Sequence, residues 1–171
     1  GHLWPNFSQL NIGMTRTTAF IYANELSQHV LRAGHPMVPA RIGYTYELLE
    51  SFDAFADADS WLIEPRPATE AELITFHSQE YITAVQSLSQ DISLPDPGRF
   101  GFSQSSDNPI YKGMYEAALL STGASLVATK LVTSGQVEVA FNPAGGLHHA
   151  MPSRASGFCI FNDPVIAINA M

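Results

Sequence analysis

The sequence has a single cysteine and few basic residues. Cys159 stands alone among 171 residues, which excludes an internal disulfide and a zinc site made of four cysteines, and fits a reducing compartment. Eight Lys and Arg residues stand against sixteen Asp and Glu residues, giving a formal net charge of −8. That charge has the wrong sign for a non-specific grip on nucleic acid and favours a cationic or neutral substrate.

Long apolar runs are also missing from the sequence. No stretch approaches the roughly 18 consecutive apolar residues of a membrane span, and the first residues lack the basic start and apolar run of a signal peptide. Hydrophobic residues nevertheless make up 46% of the chain and charged residues only 14%, a composition too apolar for a disordered segment. We therefore expect a folded, soluble, cytoplasmic domain without a membrane partner.

Residues 1–13 show no periodicity and precede Met14. We interpret them as the scar of a tag or as an N-terminal extension, and residues 14–171 as one α/β domain. No internal repeat or linker divides these residues further.

Short apolar runs alternate with longer helical patterns after Met14. Three runs are typical of buried strands: residues 19–22, 61–63 and 137–141. Helical patterns are centred on the stripe Ile42, Tyr46, Leu49 and Phe52, on a capping box that starts at Thr69, on residues 81–88 and 111–134, and on a last helix opened by Asp163-Pro164. Strands that alternate with helices, without hairpin turns, predict a parallel sheet flanked by helices.

The loop after the third strand is the first place to look for chemistry, because ligands of open α/β sheets bind beyond the carboxyl ends of strands. This loop carries two glycines followed by His148 and His149. Two adjacent imidazoles with pKa values near neutrality can act as base or acid. Taken alone, such a pair fits a capping or core role as well as a catalytic one. The polar stretch over residues 90–109 is too long for a passive connector, so we predict a functional loop there.

The order of the motifs resembles the arginase/deacetylase superfamily, and within it the histone deacetylase-like and acetoin utilisation proteins. The resemblance rests on Gly145-Gly146-Leu147-His148-His149-Ala150, then Ala155-Ser156-Gly157-Phe158-Cys159, then Asn162-Asp163. It is supported by His35-Pro36, Phe76-His77 and Asp107-Asn108-Pro109. The pattern is similar above all to the bacterial acetoin utilisation branch, and leaves polyamine and protein deacylases open. A ureohydrolase-like protein is disfavoured, because those relatives lack the Gly-Gly-Leu-His-His motif.

This resemblance implies an arginase/deacetylase-like sheet, of which about three strands are present, and metal-dependent hydrolysis of an acetylated amine such as acetyl-lysine or an acetylpolyamine, with zinc or iron as cofactor. By the same resemblance, His149 transfers the proton and His148 gives electrostatic support. The resemblance assigns four more residues: the Gly157 carbonyl to the substrate amide, Phe158 to a wall of the acyl tunnel, Asp107 to the rim and Arg41 to the inner channel by which acetate leaves.

The family's metal ligands, an Asp-x-His pair and a distant Asp, have no match in this sequence. We therefore nominate no metal ligand and expect no metal bound to this chain alone. The chain is interpreted as the N-terminal portion of such a deacetylase, inactive by itself. The alternative is a stand-alone, noncatalytic assembly or binding module with half the fold. An unfinished edge beside the third strand would favour a homodimer or a higher homo-oligomer.

Structural roles compete with several of these assignments. His35 in a turn and His77 at a helix end, where its charge would complement the helix dipole, are interpreted as structural. Asp107 could cap the long helix, Arg41 could be an ion-pair partner, and Phe158 could be a core aromatic. Cys159 has no basic neighbour in sequence, which favours a buried apolar role over a nucleophilic one.

Overall fold

The computed structural model describes residues 16–171. The interpretation of residues 1–13 as a scar or extension therefore lies outside the described residues. Within residues 16–171, no helix is both long and apolar enough to cross a membrane.

The described residues contain three strands, six α-helices and one short 3-10 helix over Pro97–Phe100. The strands are β1 (Thr18–Ile21), β2 (Ser60–Ile63) and β3 (Val139–Phe141). The helices are α1 (Glu25–Gln28), α2 (Ala40–Ser51), α3 (Glu70–Leu73), α4 (Gln79–Ser89), α5 (Met114–Thr133) and α6 (Asp163–Asn169). Each strand and helix predicted from the sequence is confirmed, with boundaries that differ by one to three residues.

The three strands form one parallel sheet in the order β2-β1-β3. Thr18 of β1 lies opposite Ser60 on one side and Val139 on the other. The chain thus steps from β1 to β2, and then returns across β1 to reach β3. Because right-handed crossovers in opposite directions put their helices on opposite faces of a sheet, α2 and α5 cover different faces.

Strand β1 is buried on both faces, which explains its continuous apolar sequence. Ala19 and Ile21 pack against α5, in a cluster that includes Ala124. Phe20 and Tyr22 point to the other face and pack in a cluster with residues of α1 and α2. A third and larger cluster joins α4, α5 and α6 to the segment that precedes α6. The predicted α/β architecture with helices on both sides of the sheet is therefore confirmed.

The predicted start of α3 is confirmed in detail, whereas that of α5 differs from the prediction. The Thr69 side chain accepts a hydrogen bond from the Glu72 amide, and the Glu72 carboxylate accepts one from the Thr69 amide, which completes the capping box of α3. The long helix α5 begins later than predicted, at Met114, after Gly113 in a left-handed conformation with φ of 80°. Asp107 is therefore not the cap of this helix, and the capping interpretation of that residue is wrong.

Gly123 in the middle of α5 allows the chain before α3 to lie directly on the helix. The Ala68 amide donates a hydrogen bond of 2.9 Å to the carbonyl of Leu119 in α5. A Cβ atom on Gly123 would overlap the carbonyl oxygen of Arg66 and lie 2.7 Å from the Ala68 nitrogen. The missing side chain is thus required by backbone packing rather than by helix geometry.

We predict that Gly123→Ala lowers the free energy of unfolding by at least about 2 kcal/mol, because backbone atoms must move to admit the methyl group. Without that overlap the same change would stabilise a helix interior by up to about 1 kcal/mol. Urea unfolding measures the difference. Gly135→Ala is the control for a glycine whose replacement causes no overlap. Its φ of 71° is left-handed, but no atom lies within 4 Å of an added Cβ. A stabilised Gly123→Ala protein would contradict the packing described here.

Candidate active site

The paired histidines lie in the loop after β3, at the carboxyl edge of the sheet. Strand β1 leads to α1 and α2 on one face, whereas β3 leads to α6, which packs on α5 at the other face. A crevice opens where neighbouring strands lead to opposite faces, and this is the usual ligand position in open α/β sheets. Both His148 and His149 are exposed there, and their ring centroids are 4.3 Å apart. The two imidazoles thus lie at the topological position where ligands of such sheets usually bind, and their catalytic role stays a prediction.

Asp163 and Asn162 hold the backbone of the histidine loop. The buried carboxylate of Asp163 accepts hydrogen bonds from the amides of Gly146 (3.0 Å) and Leu147 (2.7 Å). The Asn162 side-chain amide donates to the carbonyls of His148 (3.1 Å) and Ala150 (2.9 Å). Hydrogen bonds to a charged group contribute about 1.5–3 kcal/mol each. In the sequence, Asp163 opens a helix and belongs to one of the motifs that carry the resemblance; in the structure it also supports the backbone of the candidate site.

The start of the same loop rests on the small polar residues of α5. The Ser121 hydroxyl donates to the Ala144 carbonyl at 2.7 Å, and the Asn142 side chain donates to the Ser125 hydroxyl oxygen at 2.9 Å. Ser125 in turn donates to the carboxylate of Asp163 at 2.5 Å. The small polar residues Ser121 and Ser125 of this helix therefore form the surface on which the loop is built.

A tight turn over residues 156–159 lies against His149. The Ser156 and Cys159 backbones exchange two hydrogen bonds, of 3.1 and 2.8 Å. The two residues between them both have positive φ, 50° at Gly157 and 71° at Phe158, as a two-residue turn of type I′ requires. A Cβ on Gly157 would lie 2.8 Å from Cγ of His149, so only glycine allows this approach.

Phe158 occupies the left-handed region without the freedom of glycine. A non-glycine residue in this conformation costs about 1–2 kcal/mol. Its ring packs edge-on against the buried His35 ring, with centroids 4.8 Å apart and an interplanar angle of 72°. Such aromatic pairs contribute about 0.5–1.5 kcal/mol, which offsets much of the strain.

An apolar cavity lies beside the loop and the turn. Phe158, Leu147, Met37 and Ile160 are among the residues that line it. Two further lining residues, His29 and Asn108, carry buried polar atoms (Nδ1 and Oδ1) that have no hydrogen-bond partner among residues 16–171. Burial lowers the pKa of His29. Asn108 belongs to the Asp107-Asn108-Pro109 motif quoted above, whereas no sequence pattern singled out His29.

Asp107 and Arg41 are both exposed. Asp107 lies in the long loop before α5, and its carbonyl accepts a hydrogen bond from Nε2 of His35 at 3.1 Å. Arg41 lies in the first turn of α2 and is not among the residues that line the cavity, although its neighbours Pro39 and Ile42 are. The rim role of Asp107 and the channel role of Arg41 stay predictions.

His77 is buried behind the histidine loop and is not a charged group at a helix end. Its Nε2 accepts a hydrogen bond of 3.0 Å from the Asn162 amide, and Nδ1 faces the Pro152 carbonyl at 3.3 Å. Burial lowers the pKa of His77 to about 4, so the ring is neutral near pH 7. The predicted charge–dipole interaction is therefore wrong, and the residue instead supports the backbone of Asn162.

The cysteine and the carboxylates complete the chemistry of the site. Cys159 is buried, its thiol donates to the Gly157 carbonyl at 3.3 Å, and burial raises its pKa, so it is no nucleophile.

Within residues 16–171, no group of three His, Cys, Asp or Glu side chains is placed to hold a metal ion. The two imidazoles of this segment therefore do not fit a metal by themselves.

Comparison with protein families gives a match to the histone deacetylase domain over residues 35–171. The chain is similar to acetoin utilization protein AcuC of Bacillus subtilis, at 39% identity over 153 residues that make up 90% of this chain and 39% of that protein. It is also similar to human histone deacetylase 1, at 34% identity over 91% of this chain and 32% of that protein. The chain thus spans between about a third and two fifths of the length of these relatives.

The fold is shared with solved structures of the same kind. An HDAC homolog from Aquifex aeolicus matches with a TM-score of 0.79 and 30% identity, over 90% of this chain and 41% of that one. An HDAC homolog complexed with SAHA matches with a TM-score of 0.77, over 91% of this chain and 41% of that one. The predicted resemblance and the predicted partial fold are both confirmed.

We predict that His77 makes the protein less stable as the pH falls. Its folded pKa of about 4 lies below the ordinary value of about 6.5, so the unfolded chain binds more protons between these values. The stabilisation is complete above pH 6.5 and is lost as the pH falls through 4, by about 3 kcal/mol in all. Urea unfolding of the native protein and of His77→Gln at pH 7 and pH 4 measures the contribution of His77 to the free energy of unfolding. Equal pH dependence of the two proteins would contradict the neutral, buried ring.

Proposed function

This chain belongs to the histone deacetylase domain family, and on that premise we propose that it is the N-terminal portion of a metal-dependent amidohydrolase. The proposed reaction removes acetyl groups from an acetylated amine, of the acetyl-lysine or acetylpolyamine type. One observation carries the proposal: the exposed His148-His149 pair lies in the loop at the carboxyl edge of the sheet, beside the turn that holds Gly157 and Phe158, and Phe158 lines an apolar cavity.

The two imidazoles supply the proton chemistry of this proposal. Hydrolysis breaks the amide C–N bond, adds water, and releases acetate and the free amine. His149 accepts the proton of the attacking water and returns it to the leaving nitrogen, as an exposed imidazole can. Nδ1 of His148 donates to the Gly146 carbonyl at 3.0 Å, which orients the ring for electrostatic support of the same reacting group.

The remaining site residues bind the substrate in this proposal. The Gly157 carbonyl accepts a hydrogen bond from the substrate amide, and the Phe158 ring forms one wall of the acyl tunnel, which agrees with its place in the cavity lining. Asp107, exposed in the long loop, accepts hydrogen bonds from the substrate backbone at the rim. Arg41 lines the inner channel by which acetate leaves.

Zinc or iron, when bound, would polarise the acetyl carbonyl and activate water. The residues of this chain do not fit such an ion alone, since no third ligand joins the two imidazoles within residues 16–171. We propose that the ligands come from the part of the relatives' length that this chain does not span.

Turnover of an acetyl-lysine peptide tests the proposed function. In the whole zinc-loaded protein, His149→Ala is expected to lower kcat by about 10²–10⁴, the usual contribution of general acid–base catalysis, while zinc content stays unchanged. The 171-residue chain alone is expected to show no turnover and no stoichiometric zinc. Stoichiometric zinc in that chain, with turnover abolished by His149→Ala, would contradict its predicted inactivity.

A second outcome would favour a different role for the protein. If His149→Ala loses zinc and recovers activity at high zinc concentration, His149 is a ligand rather than the proton carrier. If the whole protein hydrolyses no acetylated amine, the alternative of a noncatalytic assembly or binding module is favoured.

A cytoplasmic location and the lack of nucleic-acid or membrane partners remain predictions.

We also propose that the isolated chain forms a homodimer or higher homo-oligomer through β3. Val139 and Phe141 are 49% and 55% exposed on this strand, which pairs on one side only within the described residues. An open apolar edge of this kind favours pairing with another chain. Light scattering at micromolar concentration should give a dimer that Phe141→Lys dissociates and that Tyr44→Lys, a change of an exposed aromatic on α2, leaves intact. A native monomer would contradict the proposal.

A further inference from the structure

His35 connects the loop that carries Asp107 to the turn that carries Phe158. It follows the turn that closes with a hydrogen bond from its amide to the Arg32 carbonyl, and it is only 4% exposed. The Met37 amide donates to Nδ1 of His35 at 3.0 Å, the Met37 carbonyl oxygen lies 3.3 Å from the same nitrogen, and Nε2 lies 3.1 Å from the carbonyl oxygen of Asp107. Every polar atom of this buried ring is thus engaged.

These contacts select one form of the imidazole. The shorter of the two contacts at Nδ1 comes from the Met37 amide, which makes Nδ1 an acceptor. The ring hydrogen then lies on Nε2 and is donated to the Asp107 carbonyl, which can only accept. A hydrogen on Nδ1 would face the Met37 N–H, which would cost a hydrogen bond in a buried place. In this arrangement the Nε2 hydrogen points at the loop that carries Asp107.

The same ring touches the strained turn. Its contact with Phe158 is edge-on, with centroids 4.8 Å apart, and Phe158 holds a φ of 71°. Gly157, the preceding residue, lies against the ring of His149. A continuous series of contacts therefore runs from the Asp107 loop through His35 and the turn to His149.

We propose that His35 is a positioning residue that holds the Asp107 loop and the Phe158 wall in one relative geometry, so that the two sides of the substrate site do not move apart. It does not touch the reacting atoms in this proposal, and its effect is on substrate binding. The inference rests on the proposed function, because Asp107 and Phe158 are substrate-binding residues only in that framework.

Kinetics of the whole, zinc-loaded protein provide the first test, with two substitutions of His35. His35→Gln retains an N–H donor that reaches the Asp107 carbonyl, whereas His35→Asn is too short to reach it. His35→Asn is expected to raise KM for an acetyl-lysine peptide about tenfold with kcat nearly unchanged, and His35→Gln to return KM to within about threefold of the native value. An acetylated monoamine, which has no peptide backbone for Asp107, should show a smaller change in KM.

Ser89→Ala is the matched control for simple loss of stability. Ser89 is also buried and hydrogen-bonded, to Glu116 and to the Tyr115 amide, but it lies at the contact of α4 with α5. It should lower stability without raising KM. A rise in KM that is equal for His35→Asn, His35→Gln and Ser89→Ala would reduce His35 to a purely structural residue and overturn the proposal.

Nuclear magnetic resonance supplies a test that does not depend on activity. In protein with ¹⁵N-labelled histidine at pH 7.5, the ring signals that disappear in His35→Gln should show hydrogen on Nε2 and none on Nδ1. Hydrogen exchange of the Ser156 and Cys159 amides, which close the turn, should be about tenfold faster in His35→Asn than in the native protein. A charged ring, the other tautomer, or unchanged exchange would overturn the proposal.

The two tests separate the possible failures. If the protein hydrolyses no acetylated amine but the tautomer and exchange results are as expected, the proposed function fails and the structural link made by His35 stands. If turnover is normal but His35→Asn leaves KM and exchange unchanged, the proposed function stands and the positioning role is wrong.

Discussion

Asp163 brings a buried carboxylate to the point where the loop after β3, helix α5 and helix α6 meet. It accepts hydrogen bonds from two loop amides and from the Ser125 hydroxyl. A buried carboxylate is stable only when such donors surround it, so the loop cannot shift without leaving a charge unsatisfied. The exposed pair His148 and His149 takes its place from this buried contact, and Asn162 extends it by binding the carbonyls on either side of His149.

The order of the strands determines where this loop can be useful. Since β1 lies between β2 and β3 and is buried on both faces, the chain must leave neighbouring strand ends in opposite directions. The crevice that results receives the histidine loop from β3 and the segment with His35 from the β1 side. Residues that are more than one hundred positions apart in sequence are thereby brought into contact, as the rings of His35 and Phe158 illustrate.

Two buried histidines, His77 and His35, support the candidate site through different contacts. His77 accepts a hydrogen bond from the Asn162 backbone and thus acts on the loop through the residue that holds it. His35 donates toward the Asp107 carbonyl and packs on Phe158, so it acts on the substrate side. Both are buried and bonded to backbone atoms, whereas the two histidines proposed for proton transfer are exposed. Burial therefore separates supporting from reacting imidazoles within one site.

The sequence by itself determined the strands, the helices, the parallel sheet and the location of the histidine pair. These follow from signals between near neighbours, such as the period of apolar residues, the capping box at Thr69 and the glycines before His148. The tertiary structure alone decided that Asp163 holds the loop, that His77 is neutral, that Phe158 adopts a left-handed conformation, and that Gly123 admits a neighbouring backbone. Each of these depends on which distant segments meet and on what burial removes from water, and no local spacing in the chain encodes that.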